Sequence, residues 1–255
     1  MFNNNLHLPN QKMKFAFMNA ETAFGLQYDS ENNARQIRKL KKNSNSLKPV
    51  SRKFTISNPR ENAECICCFG NKIIVGSNKA LYCCQEHDFP KFSSIHQFND
   101  WHISALSSNN QFLVIARNDV NTITITRHDL IPIKKIPLSN EIALNFMKIT
   151  GLNYIWLREK NRQALKIFKA DGTHNNAPEL RTADKGIEVS EDSIMCTKDN
   201  VISILDKDKV FFYDGSNGKL IKLNSIPSIS ASDFLSFECN ALYVQTDGMI
   251  KFFSC

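Results

Sequence analysis

The densest set of metal-binding side chains in the sequence is Cys65, Cys67, Cys68, Cys83, Cys84 and His87. Zinc takes four tetrahedral ligands, often from Cys-x2-4-Cys pairs carried on turns. Here the cysteines fall inside apolar, β-rich runs. Strand alternation sends Cys67 and Cys68 to opposite faces. The two cysteine-bearing runs are separated by a third strand-like run, 72–76. Non-adjacent strands lie about 9–10 Å apart, twice the strand spacing, and Zn–S bonds of about 2.3 Å do not bridge that gap. The expectation is therefore no metal site. The cysteines read as small buried apolar side chains.

The remaining histidines, His7, His96, His102, His128 and His174, are scattered. No His-Glu-x-x-His, Gly-x-Ser-x-Gly, phosphate-binding glycine loop or dinucleotide fingerprint occurs. No catalytic residue and no cofactor is expected, and the first reading is a non-enzymatic protein. A hydrolytic site at the end of a channel stays open as a third reading, because members of a catalytic triad are rarely adjacent in sequence.

Charge is concentrated in one place. The formal net charge is +7, and from Asn32 to Arg60 there is no Asp or Glu. That stretch holds Arg35, Arg38, Lys39, Lys41, Lys42, Lys48, Arg52, Lys53 and Arg60, so the rest of the chain sums to 7 − 9 = −2. Asn43, Ser44, Asn45, Ser46 and Pro49 add a loop composition. A short helix capped by Asp29 or Ser30 and running to about Lys42 would put Ala34, Ile37 and Leu40 or Lys41 on one side. The segment reads as a solvated tether, or as a nuclear signal or a patch for nucleic acid or anionic lipid. Binding of nucleic acid or chromatin through 35–60 is the second functional reading, weakened by the lack of interleaved aromatics.

The elements that must hold these residues are strands. At 255 residues, 42% hydrophobic and 22% charged, the chain has the make-up of a folded domain with a sizeable core. Its longest apolar run, 112–116, is far short of the roughly 20 residues of a spanning helix. No membrane association is expected. The N-terminus carries no basic leader followed by an apolar run, which points to an intracellular protein, cytoplasmic or nuclear, with reduced thiols. Gly is scarce at 9 and Asn abundant at 28. Asn tolerates the left-handed backbone region best among non-Gly residues, so many turns are expected to be Asn turns.

Five stretches share one order: a short apolar segment, a turn, a β-rich segment, a tight polar turn and another β-rich segment. They begin near 64, 102, 144, 192 and 233, at spacings of about 38, 42, 48 and 41 residues. A fourth β-like stretch follows most of them, at 92–98, 131–138, 179–181 and 219–223. This is an all-β chain. Four antiparallel strands recurring about every 42 residues mark a β-propeller blade.

Residues 51–255 resemble the WD40-like propeller family. Family blades open with Gly-His, carry Asp in the tight turn before the third strand, and end that strand with Trp-Asp. In the second stretch His102 matches the His and Asp119 the turn Asp, with Trp101 at the Gly position. Asp208 and Asp247 match the turn Asp in the fourth and fifth, and Tyr213-Asp214 resembles the Trp-Asp ending. The resemblance implies that His102 bonds to Asp119. It also implies that Asp100 and Trp101, in a connection between blades, lie on the face commonly used for partners, with Asn118, Lys160 and Arg162 in matching turns of that face.

The fifth stretch ends at Cys255 just after a third strand, and an unpaired edge is an aggregation hazard. The expected missing strand is Arg52–Ile56, closing the ring from the N-terminus. The expectation is five blades, with a sixth left open: 14–18 and 24–28 read as an extra hairpin, part of a further blade, or a docking tail. The expected organisation is an N-terminal extension, 1–50, and a propeller, 51–255. The function this favours is a protein-interaction platform, a scaffold subunit of an intracellular complex with one or more protein partners.

Overall fold

The computed structural model describes residues 6–7, 13–19, 21–29, 34–43, 46–56, 61–160, 164–170, 181–183, 189–190, 193–206, 209–225, 235–238, 241–246 and 249–254. It divides into two compact units, Met1–Ser104 with Asp233–Cys255, and Ala105–Ser232. Among the described residues the only helical turns are two 3-10 segments, Glu86–Asp88 and His96–Phe98, and no helix is long and apolar enough to cross a membrane.

Among the described residues the strands form six four-stranded antiparallel sheets. Four of them follow the repeats read from the sequence: Ala63–Phe69, Lys72–Ser77, Leu81–Gln85 and Ser93–Ser94; then Ile103–Ser108, Leu113–Arg117, Thr122–Thr126 and Pro132–Pro137; then Ile142–Ile149, Tyr154–Glu159, Leu165–Lys169 and Arg181–Thr182; then Ile194–Lys198, Val201–Asp206, Lys209–Asp214 and Leu220–Ser225. In each, the strands pair in chain order.

The sixth sheet, left open by the sequence, consists of Met13–Phe17, Thr22–Asp29, Ala34–Asn43 and Ser46–Ile56. Two expectations fall here. Arg52–Ile56 does not complete the last sheet. It pairs with 34–43, Ile37 against Phe54 and Arg38 against Lys53. The last sheet, Leu235–Glu238, Ala241–Thr246 and Met249–Ser254, instead has Leu6–His7 beside its third strand, with Leu6 against Ile250. The expected helix to Lys42 is also a strand. Ile37 lies opposite Leu26 and Leu40 opposite Ala23, an odd spacing that puts them on opposite faces of a regular strand. Both are fully buried. A strand covered on both faces carries apolar residues three apart as readily as two, which imitates a helical stripe. The boundary at 50/51 thus falls inside a strand.

The cores lie between sheets within each unit. In the first unit Phe24, Leu26, Ile37, Ile73, Val75 and Phe89 pack together. In the second, Val114, Ile123, Ile125, Leu144, Ile155 and Leu157 form one cluster, and Trp156, Ile167, Ile202, Ile204 and Tyr213 another. Alternation explains the split around 155–157: Ile155 and Leu157 face one neighbour, Trp156 the other.

Candidate interaction face

Turns fix the loops that the sequence singled out. Asn19 Oδ1 accepts from the backbone N–H of Glu21 and Thr22, both at 2.9 Å, and Asn109 Oδ1 from those of Gln111 and Phe112 at 2.9 and 2.8 Å. Asn121 and Asn153 take φ values of 45° and 66°. These are the expected Asn turns.

In the first unit, Asp100 sits exposed in the left-handed region at φ 63°. Its neighbour Trp101, half-buried, meets the buried Phe98 ring edge-on at 4.7 Å between centroids. In the second unit, Asn118 lies exposed in the 118–121 turn and Lys160 exposed at the end of the 154–159 strand. The connection 138–141 runs between these two turns. Asn121 Nδ2 donates to Leu138 O at 2.7 Å and to Ser139 O, and Lys160 N–H donates to Glu141 O at 2.6 Å. Asn118 and Lys160 are therefore brought to one rim, and Asp100 and Trp101 to a connection of the other unit. Arg162, Asp208 and Asp247 lie outside the described residues.

The partners of His102 and Asp119 differ from those the resemblance implied. Asp119 is held by Arg117, Nε to Oδ1 at 3.1 Å and Nη2 to Oδ2. His102 Nε2 lies 3.9 Å from Glu64 Oε1. Arg117, two residues before Asp119, has a planar fork that matches a carboxylate on two points, which a neutral imidazole does not.

The bracing that His and Asp were expected to supply is present in other chemistry. In the first unit Glu61 Oε1 accepts from Ser77 Oγ and Tyr82 Oη, each at 2.7 Å. Asn62 N–H donates to Asn78 Oδ1 at 2.8 Å, and Asn62 Oδ1 accepts from Arg35 Nε at 2.9 Å. In the second unit Arg158 Nη1 donates to Ser190 O, and Ser190 Oγ donates to Asp206 Oδ1. The connections at 61–62, 138–141 and 190 are thus gripped from two sides, by the sheet each leaves and by the sheet each enters. Sequence reading missed Glu61, Tyr82, Arg158 and Ser190. Asp206, at the end of a second strand, was the available signal, passed over for Asp208.

The basic segment is built into the first unit. Lys39 Nζ pairs with Glu86 Oε1 at 2.9 Å and lies 5.8 Å from the Phe24 ring centroid. Arg35 bonds Asn62, and Arg38 Nη2 bonds Gln36 Oε1 at 3.1 Å. Lys41 is exposed, and Lys42 lies on the same strand. The cysteines sit as the strand argument required: Cys67 and Cys83 both lie beside Ile74, on opposite sides of it, and Cys68 and Cys84 likewise flank Ile73. Burial raises the Cys65 and Cys83 thiols, and it pushes Cys84 up to about 11 with help from Cys83 and Asp88. Among the described residues no three His, Cys, Asp or Glu side chains are placed to hold a metal.

Solved structures share this arrangement. A streptogramin B lyase matches over all of this chain and 86% of its own, at 12% identity and a TM-score of 0.64. The β-propeller domain of Myceliophteria thermophila Cps50 (Swd1) matches over 97% of this chain and 99% of its own, at 8% identity and 0.59. A chain of the mitotic checkpoint complex matches over 98% and 93%, at 13% and 0.58. The fold is a β-propeller. No protein-family model matches the chain, and no curated protein does. At these identities the likeness is one of fold, and a propeller fold hosts both binding proteins and enzymes.

Proposed function

We propose that this propeller is a non-enzymatic protein-interaction platform that presents its loop rim to protein partners inside the cell. The observation that carries the reading is the double grip on the connections, which holds Asn118 and Lys160 at fixed positions on one rim. Rigid loops lose little entropy on binding, and this is how propeller loops come to carry function. Trp101 is the strongest single anchor candidate: its half-buried ring stands edge-on to Phe98, and Trp is enriched at the centres of binding hot spots. Two of the similar structures, a chain of the mitotic checkpoint complex and the β-propeller domain of Cps50 (Swd1), are in keeping with such a role. The nucleic-acid reading is not favoured, since Arg35 and Lys39 are engaged within the first unit.

The test is quantitative affinity capture with the full chain as bait, read by mass spectrometry. Trp101→Ala should lose its specific preys by about tenfold or more. Phe98→Leu is the control, disturbing the same packing without removing the indole, and it should retain them. Preys that survive Trp101→Ala, Asp100→Ala and Lys160→Glu alike would overturn the reading.

A further inference from the structure

Of the 28 asparagines, Asn217 alone is followed by glycine. It is exposed, in the turn that joins Lys209–Asp214 to Leu220–Ser225. The backbone nitrogen after an asparagine is a nucleophile within reach of the side-chain carboxamide. Gly218 has no side chain to shield that nitrogen.

The turn holds the two groups together. Asn217 Oδ1 accepts from Lys219 N–H at 2.8 Å. A side chain bonded in this way to the backbone two residues on folds back along its own chain, which sets its carbonyl carbon beside the intervening nitrogen. The Lys219 N–H also points at the oxygen that becomes negative when that carbon is attacked. One contact opposes the reaction: Gly218 N–H donates to Asp214 O at 2.9 Å, so attack must wait for the turn to open.

Asp214–Gly215, in the same turn, provides the contrast. Asp214 Oδ1 accepts from Ser216 Oγ at 2.6 Å, Ser216 N–H at 2.8 Å and Asn217 N–H at 3.3 Å. These bonds, those of Ser216 first, hold the carboxyl below its ordinary range. It stays an anion, which a nucleophile does not attack, and Gly215 is buried with its N–H on Asn200 O at 2.7 Å.

We propose that Asn217 is a site of spontaneous deamidation, a chemical mark that accumulates with the age of the chain. Gly218 N bonds to Asn217 Cγ and the Cγ–Nδ2 bond breaks. The amide nitrogen leaves as ammonia, carrying through solvent the proton lost by Gly218. Water then opens the succinimide at either carbonyl and leaves aspartate or isoaspartate. Isoaspartate lengthens the main chain by a methylene, and the turn has no slack to absorb it. A Cβ on Gly218 would lie 2.7 Å from Ile167 Cδ1 and 2.9 Å from Ala183 Cα. The longer backbone therefore forces Gly218 off the neighbouring sheet, and the modified chain is less stable.

The full chain is kept for several weeks at physiological temperature, at neutral and at mildly alkaline pH, then cut with trypsin and read by mass spectrometry. Cleavage after Lys209 and Lys219 releases 210–219, in which Asn217 is the one amide side chain. This peptide should gain the mass of an amide-to-acid exchange, faster at the higher pH. It should do so about tenfold more slowly in the folded chain than in the chain unfolded in guanidinium chloride. The aged chain should take methyl groups from a protein-isoaspartate carboxyl methyltransferase and melt about 2–4 °C below fresh protein. Asn217→Gln, shown to fold by its own fresh melt, should lose the mass gain, the methylation and the fall in melting temperature. Three results would overturn the proposal: an intact Asn217 in the folded chain after the unfolded chain has converted, a rate that does not rise with pH, or an aged Asn217→Gln chain that falls in melting temperature as far as wild type.

Discussion

Removing Tyr82 Oη tests whether Glu61 has taken over the bracing that the family pattern gives to His and Asp. Tyr82→Phe deletes one 2.7 Å hydrogen bond to a carboxylate and leaves the ring in place. Such a bond is worth about 1.5–3 kcal/mol when shielded. Both side chains are half-buried, so a cost near the lower end, about 1–1.5 kcal/mol, is expected. Glu61→Ala removes the acceptor from two hydroxyls, but the cost does not double. Ser77 Oγ has a second acceptor in Ala80 O at 3.2 Å, whereas Tyr82 does not. A cost of about 1.5–2.5 kcal/mol follows, and the double variant should fall short of the sum by about 1 kcal/mol. The pair also leaves a pH signature. Burial first, and then Glu61, raise the Tyr82 hydroxyl above its ordinary value near 10. The unfolded chain therefore ionises first. The stabilisation is complete below pH 10 and is lost as pH rises through the folded value. Tyr82→Phe should flatten that part of the alkaline limb. Urea melts at pH 7 for the four species, repeated at pH 10 and 11, measure both effects. Costs additive to within about 0.3 kcal/mol would refute the coupling.

Asn121 holds a left-handed turn and donates two hydrogen bonds to the 138–141 connection, so melting temperatures should fall in the order wild type, Asn121→Gly, Asn121→Ala. The Gly step measures the bracing and the further Ala step the backbone strain, each about 1 kcal/mol. Trp156 is fully buried and donates Nε1–H to Gly215 O at 2.8 Å, so Trp156→Phe should cost about 2–3 kcal/mol in urea melts, with Trp101 as the remaining fluorescent reporter. Burial raises the Cys84 thiol from an ordinary value of 9.0 to about 11, so its contribution is complete below pH 9 and lost between pH 9 and 11. Under reducing conditions, Cys84→Ala should lose less stability across that window than wild type does.

The blades were legible because each strand alternates or forms a short apolar run between polar breakers. The expected starts near 64, 102, 144, 192 and 233 lie within two residues of the first strands observed, which begin at Ala63, Ile103, Ile142, Ile194 and Leu235. Arg52–Ile56 was recognisably a strand, but its partner was not. Pairing register depends on what lies across the ladder, and the loop composition of 43–49 hid the hairpin that brings 46–56 back onto 34–43. The basic segment misled for a related reason. Lysines and arginines alternate there with Ile37 and Leu40, and long basic side chains cover apolar surface while reaching a partner such as Glu86 or Asn62. A run of charge in sequence is then an integrated strand in space.

The bracing residues were illegible because the fold fixes a position, not a residue type. A connection entering a sheet must satisfy its backbone groups and keep one path, and any polar group that reaches it from the adjoining hairpins will do. Arg35 with Asn78, Asn121 with the Lys160 backbone, and Arg158 with Asp206 are three solutions to that requirement. The Lys160 contact uses a main-chain N–H and leaves no side-chain trace in the sequence. Once a connection is gripped from both sides, either grip can change its chemistry while the other holds the path. The strand repeat, which the cores between sheets require, then does not depend on one particular pair of side chains. Asp119 turns to Arg117 and His102 toward Glu64 while their sheet keeps its four strands.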